Sequence, residues 1–215
     1  MEVSRRTLLQ TGLLSALGLA TAARAAVQQS SPYTVEYGIP NMNFYTSRQH
    51  CPQWCWAASI ETLYKLWGFA VDQEQIVAQA YGPTAHGGLV CSPASDALML
   101  QALTRTYIDG RGIACRGAAV PIRSEWSQYD DMTTWGAIAS ELANNRPLLA
   151  GYNSGSSGHA VIITHIQVTA DGYGSSRVSA VTVRDPWPGS LNRRVLSLQE
   201  AMGLNFIAAV QIGRA

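Results

Sequence analysis

An α+β chain is predicted by three features of this sequence. Helical hydrophobic spacing is concentrated between residues 55 and 144, four β-branched runs crowd the stretch after residue 145, and no repeat or long linker divides the two. Helices first and strands later indicate a helical N-terminal half packed on a C-terminal antiparallel sheet. The first helix is expected over residues 55–67: Trp56, Ile60, Leu63 and Trp67 recur at spacings of four, three and four, and Gly68 follows as a stop. Asp72 with Gln75 reads as a capping box for a second helix ending at Tyr81 and Gly82, and Ser92 with Pro93 opens a third that runs to about Tyr107. A fourth is expected over residues 134–144. Then "RPLLAGY", "HAVIITHIQV", "SRVSAVTVRD" and "NFIAAVQIG", separated by Gly, Ser, Asp or Pro turns, each read as a strand.

Composition limits what this fold does. Hydrophobic residues are 47% and charged residues 13% of 215, so the chain can bury a core and its length suits one domain. A formal charge of +1 gives no reason to expect a nucleic acid or an anionic membrane as partner. Residues 1–25 are expected to be a cleavable export signal, leaving residues 26–215 as the domain: Arg5 and Arg6 precede an apolar stretch over residues 8–23, and Ala23, Arg24 and Ala25 form an A-x-A arrangement. Gln10, Thr11 and Ser15 interrupt that stretch, which falls short of the roughly 20 apolar residues a bilayer core requires, so no stable membrane anchor is expected. "SRRTLLQ", followed by Gly12, Gly18 and Arg24, resembles a twin-arginine signal, with the general secretory route as the alternative. Either machinery delivers a periplasmic or secreted protein.

An oxidising compartment lets Cys51, Cys55, Cys91 and Cys115 form two disulfides, or one with two free thiols. Zinc spacing is lacking: there is no C-x-x-C or H-E-x-x-H, and His50, His86, His159 and His165 show no ligand spacing. No cofactor is expected. Cys55 opens the first helix, where the unsatisfied amides and positive end of the dipole favour thiolate over thiol. A nucleophile needs a base, and His159 stands at the start of a strand directly after the glycine-rich turn "NSGSSG". A third group should orient that imidazole. Asp185 ends the next strand, where a hairpin partner would lie beside His159.

These blocks resemble the papain-like cysteine peptidases, particularly the short bacterial members, whose signature runs Gln, five residues, Cys-Trp-Ala, then Gly-His-Ala, then Asp. "CWAAS" matches the nucleophile, "GHAVIIT" the base and "RDPW" the orienter, and the likeness covers roughly residue 49 to the C-terminus. The resemblance implies a Cys55, His159 and Asp185 triad, with Gln49 donating to the oxyanion hole beside the Cys55 N–H, and Trp187 shielding the His to Asp bond. It also implies a disulfide from Cys51 to Cys91, with Cys91 to Cys115 as the competitor. The best-known members place Asn where this chain has Asp185; the role, holding the imidazole, is the same. Residues 26–48 are too few for a long inhibitory propeptide.

The expected activity is peptide-bond hydrolysis of a peptide or protein substrate. A peptidoglycan amidase or endopeptidase, an amide transferase, or a catalytically silent binding module are the alternatives on the same scaffold. His165 lies on the same strand face as His159 but matches no motif and reads as a core or groove residue; His50 and His86 read as loop residues, His50 at the rim of the cleft if it has a role. Trp54 reads equally as cleft lining or packing.

Overall fold

The computed structural model describes residues 26–31, 34–40, 42, 45–123, 132–154, 157–170 and 176–215; the expected export signal, residues 1–25, lies outside these. Helices α1 (Cys55–Leu66), α2 (Gln73–Tyr81) and α3 (Asp96–Thr104) come first. After α4 (Met132–Ala143) come strands β5 (Leu148–Ser154), β6 (Ser157–Ala170), β7 (Ser176–Arg184) and β9 (Leu204–Arg214), the four expected runs. The first half adds strands of its own: β1 (Ala26–Ser31), β2 (Thr34–Gly38), β3 (Thr106–Ile108) and β4 (Ala114–Arg123). A short β8 (Arg193–Val195) and α5 (Leu198–Met202) precede β9. The fold class is α+β, as expected.

All pairings among the described residues are antiparallel, in the order β1-β2-β6-β5-β9-β4-β3, with β7 on β6 and β8 on β7. β6 is long enough to change neighbours along its length. Its first half pairs with β5 through Tyr152 opposite His159, and its second half with β2 through Gly38 opposite His165. β7 runs beside it from Ile162 opposite Arg184 onward, and a register shift between Ile163 and His165 bends the ribbon.

The third helix is shorter than its expected span at both ends. Pro93 disfavours helical backbone at Ser92, and Ser95 is the cap instead, its Oγ accepting from Leu98 N at 3.2 Å. At the other end Arg105 turns extended and Tyr107, fully buried, pairs with Cys115 in β3–β4 while its ring meets Tyr64 edge-on at 5.3 Å. Tertiary packing of an aromatic thus overrides helical continuation. β4, "ACRGAAVPIR", carries Gly and Pro and does not look like a strand. Gly117 is required there because a Cβ would lie 2.4 Å from Leu103 O of α3, and Pro121 sits at a register shift against β9.

The core lies between α1 and the sheet. Trp56, Ala57, Ile60, Leu63 and Tyr64 of α1 are buried, with Val161, Ile163, Ile207 and Phe206 buried in the strands. Removing a buried ring such as Trp56 costs about 3–5 kcal/mol at such a site. This packing fixes the N-terminal end of α1 over the start of β6: Ser59 Oγ donates to Ala160 O at 3.3 Å. No helix among the described residues is long and apolar enough to cross a membrane.

Candidate active site

Cys55 is the first residue of α1, preceded by Trp54 in a non-helical conformation with no side-chain cap. The first-turn amides therefore lack intrahelical partners, the arrangement that favours an anion at this position. The segment before the helix is held from several sides. Cys51 is bonded to Cys91 across a Cα separation of 6.1 Å, and the indoles of Trp54 and Trp56 donate to Val90 O at 2.8 Å and to Ser92 O at 3.1 Å. Both tryptophans thus clamp the loop that carries Cys91, and Trp54 is a packing residue. Cys115, the competing partner, is a buried free thiol of β4 opposite Tyr107, its Sγ donating to Tyr107 O at 3.7 Å.

Cys55 is also free, and its Sγ accepts from Ala160 N at 3.4 Å. The residue before Ala160 is His159, whose Nε2 lies 2.8 Å from Asp185 Oδ1. That leaves Nδ1 as the ring nitrogen available to Cys55, which lines the same cleft and helps to raise the His159 pKa. Burial works against a charged ring, but the bond to Asp185 and the nearby Cys55 outweigh it and raise His159 from 6.5 to about 9. Burial likewise opposes ionisation of Asp185, yet hydrogen bonds from His159, Trp187 N and Arg194 hold it at about 2. The imidazolium form is favoured at neutral pH.

Asp185 is itself oriented by a network that sequence reasoning missed. Arg194 Nε donates to Asp185 Oδ2 at 2.7 Å, and its terminal nitrogens reach Glu200 Oε2 at 2.9 Å, Glu200 Oε1 at 2.8 Å and Tyr152 Oη at 2.7 Å. Tyr152 in turn donates to Glu200 at 3.0 Å and packs edge-on against His159 at 5.5 Å. Glu200 is held by α5, where it closes a capping box with Ser197. The S-x-x-E spacing was a legible signal for that cap; nothing local marks Arg194.

The remaining expected residues separate. Gln49 is buried, but its Nε2 donates to Cys51 O at 3.0 Å and to Pro52 O at 2.9 Å, so in this state both donors brace the turn before α1; its Oε1 is buried without a partner. Its backbone N donates to Pro186 O, and Arg48 Nη1 donates to Asp185 O and Trp187 O, which ties this segment to the loop after β7. Trp187 lines the cleft beside Asp185 with an exposed ring, and its N–H donates to Asp185 Oδ1 at 2.9 Å. His50 pairs with Glu74 on the surface at 2.7 Å. His165 is half-buried against Gly38 and lowered to about 4 by burial and by Arg193 and Arg184 nearby. A helix-opening cysteine, a strand histidine and a buried aspartate meet in one cleft, with Cys55 and His159 on both its sides.

The fold is that of the papain-like cysteine peptidases. The chain belongs to the Peptidase_C39-like family, whose model matches residues 38–205, a span that contains Gln49, Cys55, His159 and Asp185. A search of curated proteins finds no match.

Proposed function

We propose that this protein is an exported cysteine peptidase that hydrolyses peptide bonds through Cys55, His159 and Asp185. The observation that carries the reading is His159, bonded to Asp185 at 2.8 Å, lining one cleft with Cys55 and raised to about 9, so that its ring carries a proton to give at neutral pH. In this reaction Cys55 Sγ attacks the substrate carbonyl carbon and a tetrahedral oxyanion forms. As the C–N bond breaks, His159 gives its proton to the leaving amine, leaving a thioester on Cys55. A water then gives a proton to His159 while its oxygen attacks the thioester; the C–S bond breaks and the acid product leaves. Asp185 keeps the imidazole in position throughout, and Arg194 holds the other Asp185 oxygen.

The Cys55 N–H is one oxyanion donor. Gln49 is the second, giving up one of its bonds to the neutral Cys51 and Pro52 carbonyls as the negative oxygen develops, because a hydrogen bond to a charged acceptor is the stronger. Export follows from the N-terminal signal and suits a domain stapled by a disulfide. The test is iodoacetamide labelling at pH 6 alongside peptide turnover. Cys55 should react much faster than Cys115, turnover should disappear in step, and His159→Ala should abolish both. Gln49→Ala should retain labelling and lose about 100-fold or more in kcat. Labelling of Cys55 only near pH 8.5, unchanged in His159→Ala, would overturn the reading.

A further inference from the structure

The cleft continues past Cys55 and His159 in two directions. One arm holds Asp185, Trp187, Arg194 and Glu200; the other is a separate pocket on the far side of the pair, between α1, the start of α3 and β5. Its volume is about 160 Å³. Whole-ligand sites usually enclose ~300–1,000 Å³, so this one is sized for a single side chain of a longer substrate. Trp56, Pro93, Ala94, Met99 and Ala160 give it apolar walls, and Gly151 leaves the β5 side open.

Asp96 interrupts these walls. It is not the cap of α3, because Ser95 Oγ takes that role. Among the described residues its carboxylate has no hydrogen-bond or ion-pair partner, and burial alone acts on it, pushing its pKa up. No Lys or Arg lines the pocket, whose one basic side chain is the His159 ring bonded to Asp185, while Asn153 and Asn205 add amide groups that can accept or donate. An acid partly withdrawn from water beside the nucleophile, supported by the first turn of α3 but bonded to no side-chain cation among the described residues, can take a cation from the substrate.

We propose that this pocket receives a lysine or arginine side chain of the peptide substrate, and that Asp96 is the residue that selects it. The proposal rests on the peptidase reading of Cys55 and His159. A basic side chain satisfies both parts of the pocket: its methylene stem lies along Trp56, Pro93 and Met99, and its charged head reaches Asp96. An aliphatic side chain fills the walls and leaves the carboxylate desolvated and unpaired. An acidic one meets Asp96 with like charge.

The test uses short peptidyl acyloxymethyl ketones, which alkylate Cys55 irreversibly and are read by intact mass. Each of the two residues preceding the electrophile is varied in turn among Arg, Lys, citrulline, Leu and Glu. At one of the two positions Arg and Lys should label Cys55 about tenfold faster than citrulline, the uncharged isostere, as expected for about 1.4 kcal/mol of ion pairing. Asp96→Asn should erase that difference and Asp96→Lys should shift the preference to Glu, with thermal melts confirming that both variants fold. Equal rates for Arg and citrulline in the wild type, or a preference that survives Asp96→Asn, overturn the proposal and leave the peptidase reading standing. Failure of every probe to label Cys55 overturns both.

Discussion

Replacing Asp185 by Asn removes the charge that keeps His159 protonated and leaves a side chain of nearly the same shape. In the native protein burial opposes the imidazolium, and Asp185 at 2.8 Å together with Cys55 overcomes it, taking His159 from 6.5 to about 9. That rise corresponds to about 3 kcal/mol in favour of the charged ring. A single opposite charge at this range is worth about 1–3 pH units, so the His159 midpoint should fall by that amount in Asp185→Asn. The assay is an NMR titration of the His159 ring between pH 5 and 10, which reads the group directly and does not depend on turnover.

Stability gives an independent reading. A folded pKa raised from 6.5 to about 9 contributes stability that is fully present below pH 6.5 and is lost as pH rises through 9. Asp185, lowered from 3.8 to about 2, contributes stability present above pH 3.8 and lost as pH falls through 2. The gap between wild type and Asp185→Asn in urea unfolding should therefore be wide at pH 6 and narrower at pH 10. A His159 midpoint that does not move in the variant would refute the ion-pair account of this site.

Three further outcomes are expected. Arg194→Met leaves Asp185 and Glu200 without their shared cation and should cost about 2 kcal/mol in urea unfolding, less than the ~3–5 for a fully buried pair because Glu200 stays partly solvated; an unchanged midpoint would mean the network is only a surface contact. The double variant Cys51→Ser with Cys91→Ser opens a loop of 40 residues and should lose about 4 kcal/mol, and non-reducing peptide mapping of the wild type should recover that bridge with Cys55 and Cys115 free. N-terminal sequencing of the exported protein should begin at Ala26, the first residue of β1, and normal export of an Arg5→Lys, Arg6→Lys variant would exclude the twin-arginine route.

Much of this site is written in local spacing. Trp56, Ile60 and Leu63 recur with the helical period, so α1 and the place of Cys55 at its head follow from sequence alone, as do the strands that carry His159 and lead into Asp185. The motif blocks around these residues added their expected roles and the partner of Cys51. The first-half strands were illegible for a physical reason. β4 breaks its pattern with Gly117 and Pro121, and Tyr107 leaves the helical run only because Tyr64 and Cys115 hold it in a sheet.

What the chain determines by itself is therefore whatever one turn of helix, one strand alternation or one cap can encode: the four longer helices, the four later strands, the helix-opening thiol, the Ser197 and Glu200 box. Only the tertiary structure decided that Gln49 braces the turn before α1, that Arg194 of β8 reaches back to Asp185, and that Asp96 faces Cys55 across a pocket. Each of these joins segments whose spacing along the chain carries no period. Arg194 meets Asp185 because β8 folds back on β7, and Asp96 lines a pocket with Cys55 because the Cys51 to Cys91 bridge and two indole hydrogen bonds bring that loop against α1. Long-range packing sets such meetings, and no local pattern of residues records them.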